Sequence, residues 1–492
     1  MFESAEIGHT ISKEDFRAQE PVLRQELLAA QYELLRRADT QVVVLVNGVD
    51  GAGKGETVNL FNEWMDPRHI HTHAFGPRTD EERARPEMWR FWRALPPKGR
   101  IGILFGSWYT DPILERVLGH VRRADLDRRL EQIRHFERML VAEGVVLVKL
   151  WFHLSKSAQR QRLKRLASSK RTAWRVTKDD WQHFKHYDQF VRVCEVALRE
   201  TSTGDAPWMV IEGSDHPYRS LTAGRILLDA MQQRLAGEAL PQQESAPPPL
   251  PAMDGRNLLN ALDYATTLPG PAYEDQLQRL QGKLARRMRG KRMGKRSLIL
   301  VFEGMDAAGK GSTIRRVTRA LDARHYRVIP VAAPTDEERA QPYLWRFWRH
   351  LPQHGHCVIY DRSWYGRVLV ERVEKLCTES SWMRAYHEIN EFEEQLVDAG
   401  AVVCKFWLAV TPDEQLRRFK EREETPWKQF KITPEDWRNR DKWPAYEQAV
   451  CDMVDRTSTQ HAPWHLIPSN DKNLARVTVL EHICAAIGKD RT

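Results

Sequence analysis

Short apolar runs alternate with amphipathic segments along most of the chain. Residues 42–46 and 298–302 are blocks of aliphatic and aromatic side chains without a polar interruption, which is typical of strands buried on both faces of a parallel sheet. Elsewhere apolar residues recur at helical spacing, as at Leu277, Leu280 and Leu284. This alternation predicts an α/β fold, with parallel sheets that carry helices on both faces.

The second half of the chain predicts five strands separated by helices. The predicted strands are 298–302, 326–331, 356–360, 402–408 and 464–467. The predicted helices are 275–289, 312–323, 337–351 with a break near Pro342, 382–399, one that begins at Thr411, and a last one after 467. At Thr411 the sequence has an N-cap threonine, then Pro412 at the first helical position, and Glu414 where a capping box would place it.

The two halves of the chain repeat the same motifs at one offset. Lys54 and Lys310 lie 256 positions apart. The segments that match at this offset are 79–84 with 335–340, 89–93 with 345–349, 107–109 with 363–365, and 206–208 with 462–464. Two tandem copies of one domain explain the matches. We therefore predict a first domain at 1–235, a Pro-rich linker at 236–256 and a second domain at 257–492.

A glycine-rich turn follows the predicted strand 298–302. It runs from Gly304 through Asp306, Gly309, Lys310 and Gly311 into a predicted helix. A strand, a glycine loop and a helix N-terminus with a lysine form a phosphate-binding (P-loop) element. The residue after the lysine is glycine instead of the usual Ser or Thr, so the hydroxyl that commonly holds Mg²⁺ is absent or displaced to Ser312 or Thr313.

Asp306 is an unusual residue inside such a loop. A carboxylate about 4 Å from a phosphate oxygen is repelled by roughly 4 kcal/mol at intermediate dielectric, and a divalent cation between the two reverses that sign. We therefore predict that Asp306 is a metal ligand, although a turn aspartate that caps the helix is the structural alternative. Asp361 closes the apolar strand 356–360, where P-loop enzymes place their second metal carboxylate.

Basic residues cluster after these two acidic positions. Arginine suits bidentate phosphate contacts, and a basic segment after a late strand could close over transferring phosphates as a lid. A charged solvent-exposed face is the alternative for the same residues. The candidate substrate-binding residues in these segments are Arg362, Arg367, Glu371, Arg418, Arg422, Lys428 and Lys431.

The first copy keeps the loop but loses most of the chemistry. Asp50 and Lys54 remain, whereas the counterparts of Asp361, Arg362, Arg367 and Glu303 are Phe105, Gly106, Asp111 and Asn47. We predict that the first domain binds phosphate weakly or not at all and does not catalyse. It would then serve as a scaffold, the internal pseudo-dimer partner of the second domain.

Composition narrows the possible partners. The net charge of +9 and a pI near 9.2 favour a polyanion, either nucleic acid, anionic lipid or polyphosphate. The six cysteines show no C-x-x-C spacing, so no zinc site or disulfide framework is predicted. The N-terminus lacks signal-peptide features, and no apolar run is long enough for a membrane span. These features predict a cytoplasmic protein.

Three motifs together resemble the polyphosphate kinase 2 family. They are G-x-D-x-x-G-K-G at 304–311, Y-D-R-S-W-Y at 360–365, and T-S-T with A-P-W between 457 and 464. The resemblance covers nearly all of the second half closely and the first half in degenerate form. The fused two-domain members of this family are similar to polyphosphate:AMP phosphotransferases. Gly366 stands where many members of the family carry Asn.

The resemblance implies a thymidylate-kinase-like fold and Mg²⁺, or Mn²⁺, held by Asp306 and Asp361. It also implies catalytic roles for Lys310 and Arg362, with inorganic polyphosphate as donor and AMP as acceptor, without a nucleic acid or membrane partner. The duplication suggests a homo-oligomer built on the internal pseudo-dimer. The alternatives are ADP or another nucleotide as acceptor, ATP as donor, and a non-enzymatic polyanion-binding protein. A GTPase is disfavoured because the sequence has no N-K-x-D motif.

Overall fold

A computed structural model describes residues 1–237 and 257–488. Most of the predicted linker, 238–256, lies outside the described residues. The described chain forms two compact units. One comprises the described residues of Met1–Pro77, Arg90–Pro241 and Pro334–Trp345, and the other those of Arg78–Trp89, Gln242–Ala333 and Arg346–Thr492. The domain boundaries expected from the sequence remain a prediction. Within the described ranges, no helix has the length and apolar character needed to cross a bilayer.

The first repeat contains five strands and ten helices among its described residues. In chain order these are α1 Lys13–Arg37, β1 Val42–Gly48, α2 Lys54–Trp64, β2 Ile70–Ala74, α3 Asp80–Arg83, α4 Trp89–Ala94, β3 Ile101–Phe105, α5 Thr110–Val117, α6 Arg123–Ala142, β4 Val146–His153, α7 Lys156–Ser168, α8 Lys178–Lys185, α9 Tyr187–Thr201, β5 Trp208–Glu212 and α10 His216–Leu235.

The second repeat has the same order of elements. They are α11 Gly270–Met288, β6 Ser297–Gly304, α12 Lys310–Thr318, β7 Tyr326–Pro330, α13 Asp336–Arg339, α14 Trp345–Trp348, β8 Cys357–Asp361, α15 Val370–Val373, α16 Glu379–Asp398, β9 Ala401–Ala409, α17 Pro412–Glu424, α18 Pro434–Asp441, α19 Trp443–Thr457, β10 Trp464–Pro468 and α20 Lys472–Ile487.

Each repeat builds one five-stranded parallel sheet, in the orders β2-β3-β1-β4-β5 and β7-β8-β6-β9-β10. The first strand of each repeat lies in the centre and is buried along most of its length, because both faces of a parallel sheet are covered. Phe302 of β6 pairs with Asp361 of β8. The carboxyl end of β8 therefore lies beside the loop that follows β6, where ligands bind in open α/β sheets.

The predicted α/β class and parallel sheets are confirmed, with local differences. The helix after the glycine loop begins at Lys310 and ends at Thr318, so it is shorter than the predicted 312–323. The predicted helix 337–351 is two short helices, Asp336–Arg339 and Trp345–Trp348, separated at Pro342. The break at Pro342 was predicted and follows from the restricted backbone of proline, whereas Gly309, in the left-handed region, allows the turn directly before Lys310.

The capping box predicted at Thr411 is only half formed. The Thr411 hydroxyl accepts a hydrogen bond from the Glu414 N–H (3.4 Å), and Pro412 occupies the first turn, as expected. The return bond is replaced, because the Thr411 N–H donates to Asn470 Oδ1 (3.1 Å) and the Glu414 carboxylate accepts from Arg417 and Arg418. Two nearby guanidinium groups compete better for a carboxylate than one backbone N–H does.

Both repeats bury the same ion pair beside an aromatic cluster. In the second repeat Lys405 Nζ donates to Glu393 Oε2 (2.7 Å) and to Thr457 O (2.7 Å). Tyr365 and Trp364 donate to Glu393 Oε1 at 2.7 and 3.0 Å. The first repeat makes the corresponding contacts with Lys149, Glu137, Thr201, Tyr109 and Trp108. A buried charge pair is tolerated only when its remaining donors and acceptors are satisfied, and here each repeat satisfies them in the same way.

Candidate functional site

The loop between β6 and α12 has the conformation that its glycines allow. Gly304 has φ +149° and Gly309 has φ +111°. A Cβ on Gly304 would lie 2.6 Å from the Leu408 carbonyl oxygen, so only glycine fits there. Lys310 begins the helix and reaches back over the loop, where its Nζ donates to Gly304 O (2.6 Å) and Met305 O (3.3 Å). The helix N-terminus and the lysine together provide an anion site.

A basic cleft of about 660 Å³ opens over this loop. Gly309, Gly311 and Ser312 form part of its floor. Nine basic side chains line the cleft, namely Lys310, Arg315, Arg362, Arg418, Arg422, Lys428, Lys431, Lys472 and Arg476. Five acidic side chains line it too, namely Asp306, Asp361, Glu421, Glu435 and Asp436. The excess of cations suits a ligand that carries several negative charges.

Asp306 lies at the centre of the contacts around the loop. Its Oδ1 accepts from Arg362 Nη2 (3.1 Å) and its Oδ2 from Asn439 Nδ2 (2.8 Å). Gln415 Nε2 donates to the backbone oxygen of the same residue (2.9 Å). The side chain is 14% exposed. Contacts on both carboxylate oxygens fix the orientation of the Asp306 side chain toward the cleft.

Asp361 ends β8 and lines the same cleft. Across residues 1–237 and 257–488, its carboxylate takes part in no described hydrogen bond or ion pair. Two carboxylates in one cleft, one of them without a protein partner, form a donor set that suits Mg²⁺ or another hard divalent cation. The residues present at the cleft therefore fit the predicted metal.

Charge and burial act in opposite directions on the titratable groups of the site. Burial lowers the pKa of Lys310, reinforced by the nearby Arg362 guanidinium. Burial alone would lower the pKa of Arg362 too, but Asp306, Glu303 and Asp361 outweigh it and raise that pKa. Burial raises the pKa of Glu303, whose carboxylate accepts from Ser363 Oγ (2.8 Å). These mutual shifts are typical of a functional site.

Arg362 holds its position at a conformational cost. Its φ is +63°, in the left-handed region that non-glycine residues rarely adopt. Backbone strain of this kind costs on the order of 1 kcal/mol or more and clusters at functional sites. The strained backbone is consistent with the contact that the side chain makes, the ion pair to Asp306.

Arg418 lies in the wall of the cleft and holds the loop together. It is 3% exposed. Its guanidinium donates to Ala307 O (2.9 Å), Ala308 O (3.2 Å) and Asn470 O (3.0 Å), and its Nε donates to Glu414. With its donors engaged by the protein, Arg418 braces the loop. Direct contact between Arg418 and substrate stays a prediction.

The other predicted lid residues lie where the sequence suggested. Arg422, Lys428 and Lys431 line the cleft, on α17 and on the 3₁₀ helix Pro426–Lys431. Lys428 pairs with Glu421 (2.6 Å), and Arg422 donates to Lys431 O (3.1 Å). Arg367 and Glu371 instead form an ion pair with each other (2.8 Å), and in the described structure they line neither this cleft nor the side pocket beside it.

The side pocket is a smaller cavity of about 80 Å³ next to the cleft. It is lined by Glu303, Gly304, Met305, Asp306, Arg362, Gly366, Leu369, Val370, Trp407, Asn439 and Tyr446. It shares Asp306, Arg362 and Asn439 with the cleft. A pocket that is apolar and aromatic on one side and charged on the other suits a small ligand with a flat apolar part and an anionic end.

Several residues of the site were not predicted from the sequence. Asn439 on α18 holds Asp306, and Lys472 and Arg476 on α20 line the cleft, with Arg476 Nη2 3.4 Å from Ser312 Oγ. One signal was available for the pair on α20, because both lie in the first turns of a helix that directly follows the last predicted strand. Asn439 carries no local signal.

The corresponding loop of the first repeat is occupied by the protein itself. Glu56 stands at the position of Ser312. Its carboxylate accepts from Arg162 (3.1 Å), Arg175 (3.1 Å) and Arg219 (2.7 Å). Burial opposes ionisation of Glu56, but the Arg219 and Arg162 guanidinium groups outweigh it and lower its pKa. An internal carboxylate therefore neutralises the cations that a phosphate would need.

Comparison with known proteins finds relatives along nearly the whole chain. The family model described as Polyphosphate kinase 2 matches residues 10–238 and 268–492. A Pseudomonas aeruginosa protein named Polyphosphate:AMP phosphotransferase is 54% identical over 488 residues, 99% of this chain and 98% of that protein. One of the same name from Acinetobacter johnsonii is 38% identical over 485 residues, 96% of this chain and 97% of that protein.

A solved structure agrees in fold as well. The crystal structure of polyphosphate kinase 2 from Pseudomonas aeruginosa has a TM-score of 0.89 and 52% sequence identity. The match covers 99% of this chain and 98% of that one. Both repeats are matched by the family model, and the similarity to the relatives extends over almost the entire chain. The chain belongs to the polyphosphate kinase 2 family.

Proposed function

We propose that the second repeat transfers the terminal phosphoryl group of inorganic polyphosphate to AMP and produces ADP. The observation that carries the proposal is the arrangement of Asp306, Lys310, Asp361 and Arg362 around one basic cleft. The names of the full-length relatives support the same reaction. The first repeat, whose loop is neutralised by Glu56, would not catalyse.

The basic cleft suits the donor. A polyphosphate chain carries about one negative charge per phosphate, and the cleft offers nine cationic side chains against five acidic ones. Lys428 and Lys431 extend the cationic lining from the loop toward the 3₁₀ helix Pro426–Lys431. A ligand with many charges along its length would use this whole surface, whereas a single phosphate would use only the loop.

The side pocket suits the acceptor. At about 80 Å³ it can receive only part of AMP, such as the edge of the base against Trp407 and Leu369, while Arg362 and Asn439 face the cleft as well. The AMP phosphate would then lie beside Asp306 and Arg362. The position that distinguishes this chain from many of its family, Gly366, lies in the same pocket.

Mg²⁺ fits the two carboxylates Asp306 and Asp361 and, when bound, would neutralise phosphate charge near the reacting centre. In the reaction, an AMP phosphate oxygen forms a bond to the terminal phosphorus of polyphosphate, and the bridging oxygen leaves with the shortened chain. Lys310 and Arg362 offset the charge that develops on the transferred group, and the loop glycines allow close approach of the phosphates.

The direct test is to incubate the full chain with AMP, polyphosphate and Mg²⁺ and to separate the nucleotides by chromatography. We expect ADP to accumulate as polyphosphate shortens, and EDTA to stop the reaction. Parallel incubations with ATP as donor and with ADP as acceptor test the two enzymatic alternatives. Faster ADP formation from ATP than from polyphosphate would refute the proposed donor, and ATP formed from ADP faster than ADP from AMP would refute the proposed acceptor.

We also infer a cytoplasmic location, since the substrate AMP is an intracellular metabolite and all six cysteines are free thiols in the described structure. Cell fractionation with an antibody tests this location. The oligomeric state suggested by the duplication is measured by light scattering on the purified chain, and a monomer would refute a homo-oligomer.

A further inference from the structure

The first repeat holds an aromatic cavity at the position of the side pocket. This aromatic cavity measures about 290 Å³, compared with about 80 Å³ for the side pocket of the second repeat. Its aromatic lining consists of Phe75, Phe105, Tyr109, Trp151, Tyr187 and Phe190. The volume is close to the lower end of small-molecule pockets, roughly 300–1,000 Å³, which suits a ligand the size of a nucleoside.

Specific replacements account for the larger size and lower polarity of the aromatic cavity. At the shared offset, Gly106 replaces the bulky Arg362, and Phe105 replaces the carboxylate of Asp361. The remaining charged groups are paired with each other, since Asp50 contacts Lys54 Nζ at 3.3 Å and His183 Nδ1 at 2.9 Å. The cavity therefore presents aromatic surface, while its charges are already neutralised.

Two buried polar atoms without a hydrogen-bond partner in the part of the chain that the structure describes belong to residues that line this cavity. They are Gln159 Oε1, an acceptor, and Trp151 Nε1, a donor. Gln159 is 3% exposed and Trp151 is 1% exposed. A buried polar atom without a partner is unfavourable, so a ligand that satisfies both would gain from doing so.

One sequence difference between the repeats explains why the acceptor Gln159 Oε1 has no partner within the described ranges. In the second repeat the equivalent Gln415 Oε1 accepts from Arg440 Nη1 (3.2 Å). The counterpart of Arg440 is Phe184, which cannot donate. The orphaned donor is shared, because Trp407 lines the side pocket and its Nε1 is likewise without a partner among the described residues. An indole N–H without a protein partner thus belongs to the lining residues of both cavities, and the first repeat adds an acceptor.

We infer that the aromatic cavity of the first repeat binds an uncharged purine nucleoside. A planar base would pack against the aromatic side chains, donate an N–H to Gln159 Oε1 and accept from Trp151 Nε1. A nucleotide is excluded from the same pose, because Glu56 already pairs with Arg162, Arg175 and Arg219 in the adjoining loop. The site is independent of the proposed transfer reaction.

The experiment is photolabelling of the full chain with 8-azidoadenosine, in the presence and absence of a large excess of AMP, followed by peptide mapping. Adducts are expected within 105–118 or 183–190 and should persist with AMP, whereas labels within 303–446 should be displaced. Label confined to 303–446, or first-repeat label that AMP removes, would overturn the inference.

Two variants locate the site. Gly106→Arg restores the residue of the second repeat at a position with φ +77°, close to the +63° of Arg362, and should reduce the first-repeat label about tenfold or more. The second-repeat label controls for labelling efficiency, and the unfolding transition of the variant, compared with that of the wild type, controls for folding. Trp151→Phe keeps an aromatic ring but removes the indole N–H, and it should weaken adenosine binding, measured by equilibrium dialysis under saturating AMP, roughly fivefold for one lost hydrogen bond.

Unchanged first-repeat labelling in Gly106→Arg would overturn the inference, as would absence of adenosine binding by the wild type under saturating AMP. If Gly106→Arg fails to fold, the Trp151→Phe dialysis decides alone. If Trp151→Phe then binds adenosine as tightly as the wild type, the indole N–H does not contact the ligand and the proposed pose is refuted.

Discussion

In the second repeat the loop after β6 opens onto a basic cleft, whereas in the first repeat the equivalent loop is closed by the Glu56 carboxylate. The buried pairs behind both loops are the same, Lys405 with Glu393 and Lys149 with Glu137, at 2.7 Å in each case. This difference between the repeats shows which parts of the shared motifs support the fold. The Ser-Trp-Tyr segment of both repeats belongs to the core, whereas Asp361 and Arg362, two of the residues that we propose for the chemistry, are present only in the second repeat.

Some replacements preserve structure while they remove charge. Glu303 accepts from Ser363 Oγ at 2.8 Å, and at the same place in the first repeat Asn47 Nδ2 donates to Ser107 Oγ at 2.9 Å. The side chain keeps its hydrogen bond to the serine, but the carboxylate is gone. At this position the first repeat therefore keeps the hydrogen bond to the serine without the negative charge.

The largest expected difference between the repeats is in activity. Lys310→Ala should lower kcat/KM for ADP formation by about 10³-fold, because it removes a cation from the transferred phosphoryl group. The matched variant Lys54→Ala should stay within about twofold of wild type, since the Glu56 carboxylate already neutralises the cations of its loop. Steady-state kinetics with AMP and polyphosphate measure both, and equal losses would show two working sites.

The next expected effect is on stability. Glu56→Ser should lower the free energy of unfolding by about 3 kcal/mol, because it leaves the buried Arg219 guanidinium without its carboxylate. Denaturant unfolding measures the loss, and added inorganic phosphate should restore part of it by binding to the freed cations. Glu56→Gln keeps the shape of the side chain and removes its charge, so it separates the effect of the lost charge from that of the shorter side chain. Unfolding at the wild-type denaturant midpoint would show that Glu56 does not neutralise the loop.

The converse substitution should close the second loop. Ser312→Glu places a carboxylate where Glu56 stands in the first repeat and should raise KM for polyphosphate by about 30-fold, since like charges near the loop repel. Ser312→Ala controls for loss of the hydroxyl and should change KM far less. An unchanged KM for Ser312→Glu would mean that the donor does not reach this part of the cleft.

The smallest expected effect depends on pH. The Asp50 carboxylate raises the pKa of His183, so the stability from this pair is present below the ordinary histidine pKa and is lost as pH rises through the raised value. His183→Asn should therefore lower Tm at about pH 5.5 and leave it nearly unchanged at about pH 8.5. The His183 side chain is about half exposed, so the effect should stay below about 1 kcal/mol. In an Asp50→Asn background the difference should vanish.

Much of the fold follows from local pattern. The apolar strands and the capped helix at Thr411 are visible in the sequence because their signals lie within a few residues. The start of α12 at Lys310 was missed, because two glycines so close together resemble a turn, whereas Gly309 alone makes the turn and Gly311 lies inside the helix. The order of the strands has no local signal, since it depends on packing between distant segments.

The site was predictable where residues end strands or fill the loop. Asp306, Lys310 and Asp361 were found because the sheet brings the ends of neighbouring strands together. Asn439 was not, because it reaches Asp306 from a helix more than a hundred residues later in the chain. Arg418 shows the converse problem. Arg418 was expected at the cleft and lies there. The backbone carbonyl groups that accept hydrogen bonds from its guanidinium belong to distant parts of the chain, so the sequence pattern does not show them.

The left-handed backbone at Arg362 has a consequence for how such a duplicated chain changes over time. In a copy that is no longer selected for turnover, an arginine at this position has no function that offsets its backbone strain. Glycine adopts the same positive φ without that strain. Gly106, at φ +77°, is that relaxed form. If the second repeat catalyses, as we propose, the catalytic copy keeps a strained non-glycine residue at a position where the other copy has glycine.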